Sequence, residues 1–94
     1  MAKTIHKFRL QLTDSQTLQL PSSAKPLSVQ IQAGQICLWA EVDCDLEENK
    51  DVVISIVPTG YEVPPGAVYY LGTVQAEGNY VWHVYASTAM GERR

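Results

Sequence analysis

The sequence predicts an all-β domain: a small antiparallel sandwich or open barrel of about seven short strands. Three observations predict it. Apolar and polar residues alternate with period two along most of the chain. Turn chemistry interrupts that alternation at intervals of roughly 8–12 residues. No stretch sustains a helical period. The 94 residues suit a single domain, set here at residues 1–86 with a C-terminal tail at 87–94.

His6, Phe8, Leu10 and Leu12 alternate with Lys7, Arg9 and Gln11, which reads as a half-buried strand. Thr13-Asp14-Ser15 ends it, because short polar side chains compete for backbone hydrogen bonds. Leu18 and Leu20 alternate with Thr17 and Gln19 in a short second strand that stops near Pro21. Leu27, Val29 and Ile31 alternate with Ser28, Gln30 and Gln32, and Ala33-Gly34 follows as a hairpin turn. The return strand, Ile36 to Val42, is apolar on both parities and therefore belongs in the middle of a sheet or under a cover.

Residues 43–51 form the one charge run, read as a solvated loop or a short helical turn. Val52 to Val57 is a β-branched, buried strand. Pro58-Thr59-Gly60 and Pro64-Pro65-Gly66 bracket an irregular loop, since proline lacks the donor a ladder needs. Val68–Val74 and Tyr80–Ala86 are the last two strands, joined at Glu77-Gly78-Asn79.

Composition narrows the chemistry. Hydrophobic residues are 46% and charged residues 18%, a globular balance. A formal net charge of −3 argues against a nucleic-acid backbone binder, although Lys3, Lys7 and Arg9 cluster locally. No apolar run approaches the ~20 residues of a membrane span, and the start lacks a secretion signal, so the expected location is the cytoplasm. Cys37 and Cys44 suit a reducing compartment.

No metal or cofactor is expected. The two cysteines with His6 and His83 match no zinc spacing. Asp43, Asp45 and Glu47 are spaced like the start of a calcium loop, but Glu48 stands where such a loop turns on glycine. Ile54 stands where it needs its last carboxylate. Nor is catalysis expected. Cys37 or Ser28 with His83 would need a glycine elbow that is absent. An enzyme would have to draw on Asp14, Glu62 or Glu77 for its acids.

The aromatic residues carry the functional expectation. Trp39, Tyr61, Tyr69, Tyr70, Tyr80, Trp82 and Tyr85 outnumber what one small sheet hides, so some of them meet another molecule. If that molecule is a nucleotide-like ligand, Trp39, Tyr61, Tyr69 or Tyr70 stacks on it. Lys7, Arg9 or Lys25, or backbone amides near Gly60 and Gly66, then meet its phosphates.

A family resemblance adds to this. Thr4-Ile5 with Lys7-Phe8, Leu12-Thr13-Asp14 and Leu20-Pro21 open it. Leu27-Ser28-Val29-Gln30, Gly34, Cys37-Leu38-Trp39-Ala40 and Val42-Asp43 form its most specific stretch. Thr59-Gly60, Pro64, Tyr70-Leu71-Gly72-Thr73, Gln75 and His83-Val84 complete it. The pattern resembles a family of short phage and prophage proteins without an established activity. It departs at His6, where that family commonly has an aromatic, and in the proline-free loop 45–50. The resemblance implies phage origin and an all-β fold, and it transfers no catalytic residue. The expectation is a non-enzymatic binding protein acting in the host cell, oligomeric, sequestering a nucleotide signal. The alternative is a structural or host-protein interaction module.

Overall fold

In the computed structural model, which describes residues 2–45 and 48–90, the chain is an antiparallel β-sandwich. Its strands are β1 (Lys3–Arg9), β2 (Ser15–Pro21), β3 (Lys25–Gln32), β4 (Gln35–Asp43), β5 (Asn49–Pro58), β6 (Tyr69–Gln75) and β7 (Val81–Ala86). One 3-10 turn, Glu77–Asn79, links the last two. The three-stranded sheet has order β1-β4-β3 and the four-stranded sheet β2-β5-β7-β6.

The alternation of side chains explains how the two sheets meet. Ile36, Leu38, Ala40 and Val42 point inward from β4 and meet Val52, Ile54, Ile56 and Val84 of the other sheet. The core is aliphatic: neither tryptophan, none of the five tyrosines and not the single phenylalanine is fully buried. The apolar second parity of β4 has its cause in the topology. As the middle strand, β4 has Cys37 and Trp39 on the outer face between two flanking strands, and Cys37 is buried there.

Four readings of the sequence are corrected. The first strand ends at Arg9. Leu10 closes the core, but Leu12 lies in the following loop, 61% exposed. Leu27 shares the apolar parity of Val29 in sequence, yet the register of β3 slips between Pro26 and Ser28 and leaves Leu27 exposed. The acidic run is also not all loop. Asp43 ends β4 as a buried residue, and Asn49 to Asp51 open β5; Leu46 and Glu47 lie outside the described residues. Finally, Ser87 donates its N–H to Val53 O at 2.9 Å, and Lys50 Nζ donates to Ala89 O at 3.0 Å. The first half of the segment read as a tail is thus held on β5, while residues 91–94 lie outside the described residues.

The β3-β4 hairpin turns on Ala33 and Gly34, both at positive φ (53° and 77°). That two-residue turn matches the strand twist and prefers Asn-Gly. Ala33→Asn is expected to stabilise the fold by up to about 1 kcal/mol, because asparagine tolerates the left-handed region better than alanine. Equilibrium urea unfolding checks it, and a drop in midpoint would contradict it.

A sheet face, a sheet edge and an aromatic end cleft

The outer face of the three-stranded sheet collects the cations. Lys7 and Ser28 flank Trp39 in register, Arg9 and Gln30 flank Cys37, and Ile5 and Lys25 flank Glu41. Four of the five lysines and arginines among the described residues (Lys3, Lys7, Arg9 and Lys25) thus share one face. The only acid in those three central rows is Glu41, held by Lys3 at 3.6 Å. Lys7 Nζ donates to Gln32 Oε1 at 2.6 Å, across β4. Arg9 and Lys25 have no ion pair among the described residues. The indole of Trp39 is half-buried at the centre of this basic face.

Beside that face the sandwich is open. Lys7, Phe8 and Arg9 of β1 and Leu18, Gln19 and Leu20 of β2 line a groove of about 510 Å³. On the opposite side the sheets close on each other: a Cβ added at Gly72 of β6 would lie 3.2 Å from Val29 Cβ of β3. The two free edges at the groove differ. β1 carries Lys3, Lys7 and Arg9, the charges that discourage edge-to-edge pairing, whereas β2 (SQTLQLP) has no charge and keeps an unbroken register with β5. Asp14 O accepts from Ile56 N at 3.1 Å and Ser22 N donates to Glu48 O at 2.8 Å. Even positions of β2 therefore bond β5, and the N–H and C=O groups of Ser15, Thr17 and Gln19 face outward, Ser15 O accepting from Thr13 Oγ1 at 2.9 Å.

The outer face of the four-stranded sheet carries a hydrogen-bonded chain. The Tyr70 hydroxyl bonds the Thr73 hydroxyl, Thr73 Oγ1 lies 3.0 Å from His83 Nδ1, and His83 Nε2 lies 2.7 Å from Thr59 Oγ1. Tyr85 meets Tyr70 edge-on with centroids 5.6 Å apart. No carboxylate among the described residues joins this chain.

A third surface closes the end of the sandwich beside Gly34. Pro58, Thr59, Tyr61, Asn79, Tyr80 and Trp82 line a hollow of about 430 Å³. Leu12, Thr13, Asp14, Ile56, Pro58, Tyr61 and Trp82 line a second of about 290 Å³. Tyr80 lies parallel to Trp82, 5.7 Å between centroids and 6° between planes. The turn that bonds Tyr61 N to Pro58 O at 3.1 Å passes through Gly60 at φ 93°, a conformation glycine adopts freely. It leaves the Tyr61 side chain 71% exposed between the two hollows.

The seven residues named from sequence as a ligand site fall in three places. Lys7, Arg9 and Trp39 share the basic sheet face. Gly60 and Tyr61 stand at the end cleft, while Tyr69 and Tyr70 lie on the β6 edge strand of the other sheet. One ligand of nucleotide size cannot touch all of them. The sequence reading missed Trp82 and Leu12 as cleft walls, and Thr59 and Thr73 as partners of His83. The signal for Thr73 was parity, since it stands opposite His83 in register. Both cysteines are free thiols, and no group of three or more metal-ligating side chains occurs among the described residues.

No curated protein and no solved structure matches the chain. One family model, a domain of unknown function (DUF7352), matches residues 1–94. The match runs from the first strand through the end of the chain, so the protein belongs to that family, which has an all-β representative here.

Proposed function

We propose that the protein is a non-enzymatic binder that holds a phosphate-bearing, ring-containing ligand, a nucleotide or nucleotide-like signal, on the basic sheet face beside an oligomer seam. The observation that carries this reading is the segregation of charge around Trp39. In a chain of net charge −3, Lys7, Arg9 and Lys25 surround one indole. Arg9 and Lys7 offer charge-assisted hydrogen bonds to phosphate oxygens. The indole offers a stacking surface worth about 1–3 kcal/mol per ring. A sheet face by itself has little concavity, and the groove between β1 and β2 supplies it. In the setting suggested by the resemblance to phage and prophage proteins, such a binder works in the host cytoplasm as a counter-defence protein that sequesters the signal.

Thermal unfolding with a panel of mononucleotides, cyclic dinucleotides and ADP-ribose tests the reading. A ligand at about 100 times its Kd adds about 2.7 kcal/mol, on the order of 10 °C in Tm for a chain this small. The shift is expected for at least one member and is expected to disappear in Trp39→Ala and in Arg9→Gln. A flat response across the panel contradicts it.

The uncharged β2 edge supports the oligomer and also favours a second reading, an interaction module that pairs its edge with a host protein strand. Antiparallel pairing of β2 with its copy matches the outward donors of Ser15, Thr17 and Gln19 to the copy's acceptors and brings no like charges together. Light scattering after size exclusion is expected to give a dimer. Thr17→Pro, which removes one outward N–H and which an edge strand tolerates, is expected to give the monomer. A monomeric parent chain that captures one stoichiometric partner from host lysate, and loses it in Thr17→Pro, would support the second reading instead.

A further inference from the structure

We propose that the aromatic cleft at the Gly34 end is a docking site for a proline-rich segment carrying a basic residue. It is independent of the nucleotide reading, being built from other residues at the end of the sandwich. Three features of the cleft carry it.

The first is shape. Two adjoining hollows share Pro58, Tyr61 and Trp82 as a common wall. A polyproline II strand has three residues per turn and about 3.1 Å of rise per residue, so its ridges recur roughly every 9 Å along one face. Two adjacent hollows with the exposed Tyr61 between them offer room for two successive ridges, the way aromatic grooves take such segments. The second is chemistry. Proline rings pack well on the exposed ring of Tyr61 and on the outer face of Tyr80, whose inner face stacks on Trp82. The segment's carbonyls, which make no internal hydrogen bonds, meet the donors of Asn79 and the indole. Because the segment is already extended when free, little entropy is lost on docking.

The third is charge. Asp14 lines the second hollow and has no ion-pair partner among the described residues. Glu62 follows the lining residue Tyr61 in sequence, and no lysine or arginine among the described residues lines either hollow. An anionic ligand is repelled here, whereas an arginine or lysine beside the prolines is attracted to Asp14. The cleft and the basic sheet face thus select opposite charges.

The test uses the full chain with Trp39→Phe, which leaves Trp82 as the only indole. The probe is a short synthetic peptide with proline at every third position and one terminal arginine. Its titration is expected to change Trp82 emission saturably. Tyr61→Ala, on an exposed ring that leaves the fold intact by circular dichroism, is expected to weaken binding by about tenfold or more. Asp14→Asn is expected to weaken it several-fold, and adding salt is expected to mimic that loss. Three results would overturn the proposal: an equal response to the peptide with its prolines replaced by alanine; a response to a neutral oligosaccharide and none to the peptide; or concentration-dependent self-association, without peptide, that Tyr61→Ala abolishes. No saturable change up to millimolar peptide would overturn it as well. None of these results bears on nucleotide binding, which is read on Trp39.

Discussion

Leu38→Ala is expected to destabilise the protein by about 2–5 kcal/mol. Leu38 is 0% exposed on the middle strand of the smaller sheet, opposite Phe8 on β1 and Val29 on β3. Removing it opens a void between two strands that both depend on β4 for pairing, so the walls can close little of it. Phe8, the one ring beside the gap, packs against the core from the β1 edge and is only partly buried. A domain of this size has on the order of 5–10 kcal/mol in total, so the variant sits near the limit of folding. Urea unfolding reads the effect as a lower midpoint at unchanged slope. A loss below about 1 kcal/mol would mean that the two sheets do not pack as described.

Gly72→Val is expected to cost about 1–3 kcal/mol for the opposite reason, overpacking. The sheets close on each other at β3 and β6, where a Cβ on Gly72 meets Val29 Cβ at 3.2 Å, Val29 Cγ2 at 3.4 Å and Val29 N at 3.8 Å. The nearest atoms belong to a buried, β-branched residue and its backbone, so neither side yields cheaply. Valine has the better strand propensity, and on propensity alone the change would help. A stabilised Gly72→Val would show that the seam is looser than this contact requires. The bulge next to it, at Leu71, offsets β6 where it crosses Val29, and its counterpart at Leu27 lies on the facing strand.

These two sites mark what was legible in the sequence. The seven strands were legible because their alternation is driven by burial on one face, and that drive is local. Leu38 was legible as apolar, but β4 is apolar on both parities, and only its packing against the other sheet shows which face is core. The bulges at Leu27 and Leu71 were not legible, because a one-residue slip shows in three dimensions and leaves the period unchanged over so few residues. Gly72 inside a strand was the available sign of a close approach. The cations and Trp39 could be named from residue type, but their convergence depends on the pairing of β1 with β4, which is a long-range contact. Tyr69 and Tyr70 could not be separated from that group without knowing that β6 belongs to the other sheet. Tyr61 and Trp82 meet only because the β5–β6 loop folds back over the end of β7.

The two tryptophans divide the account cleanly, since Trp39 sits on the basic face and Trp82 at the end cleft. The most direct measurement is a proton–nitrogen correlation spectrum of the two indole N–H groups during titration with the nucleotide that gives the largest thermal shift. The prediction is that the Trp39 signal moves and saturates, with backbone amides of β1 and β4 moving alongside it, while the Trp82 signal stays in place. Movement of Trp82 with Trp39 unchanged would contradict the assignment of phosphate-bearing ligands to the basic face.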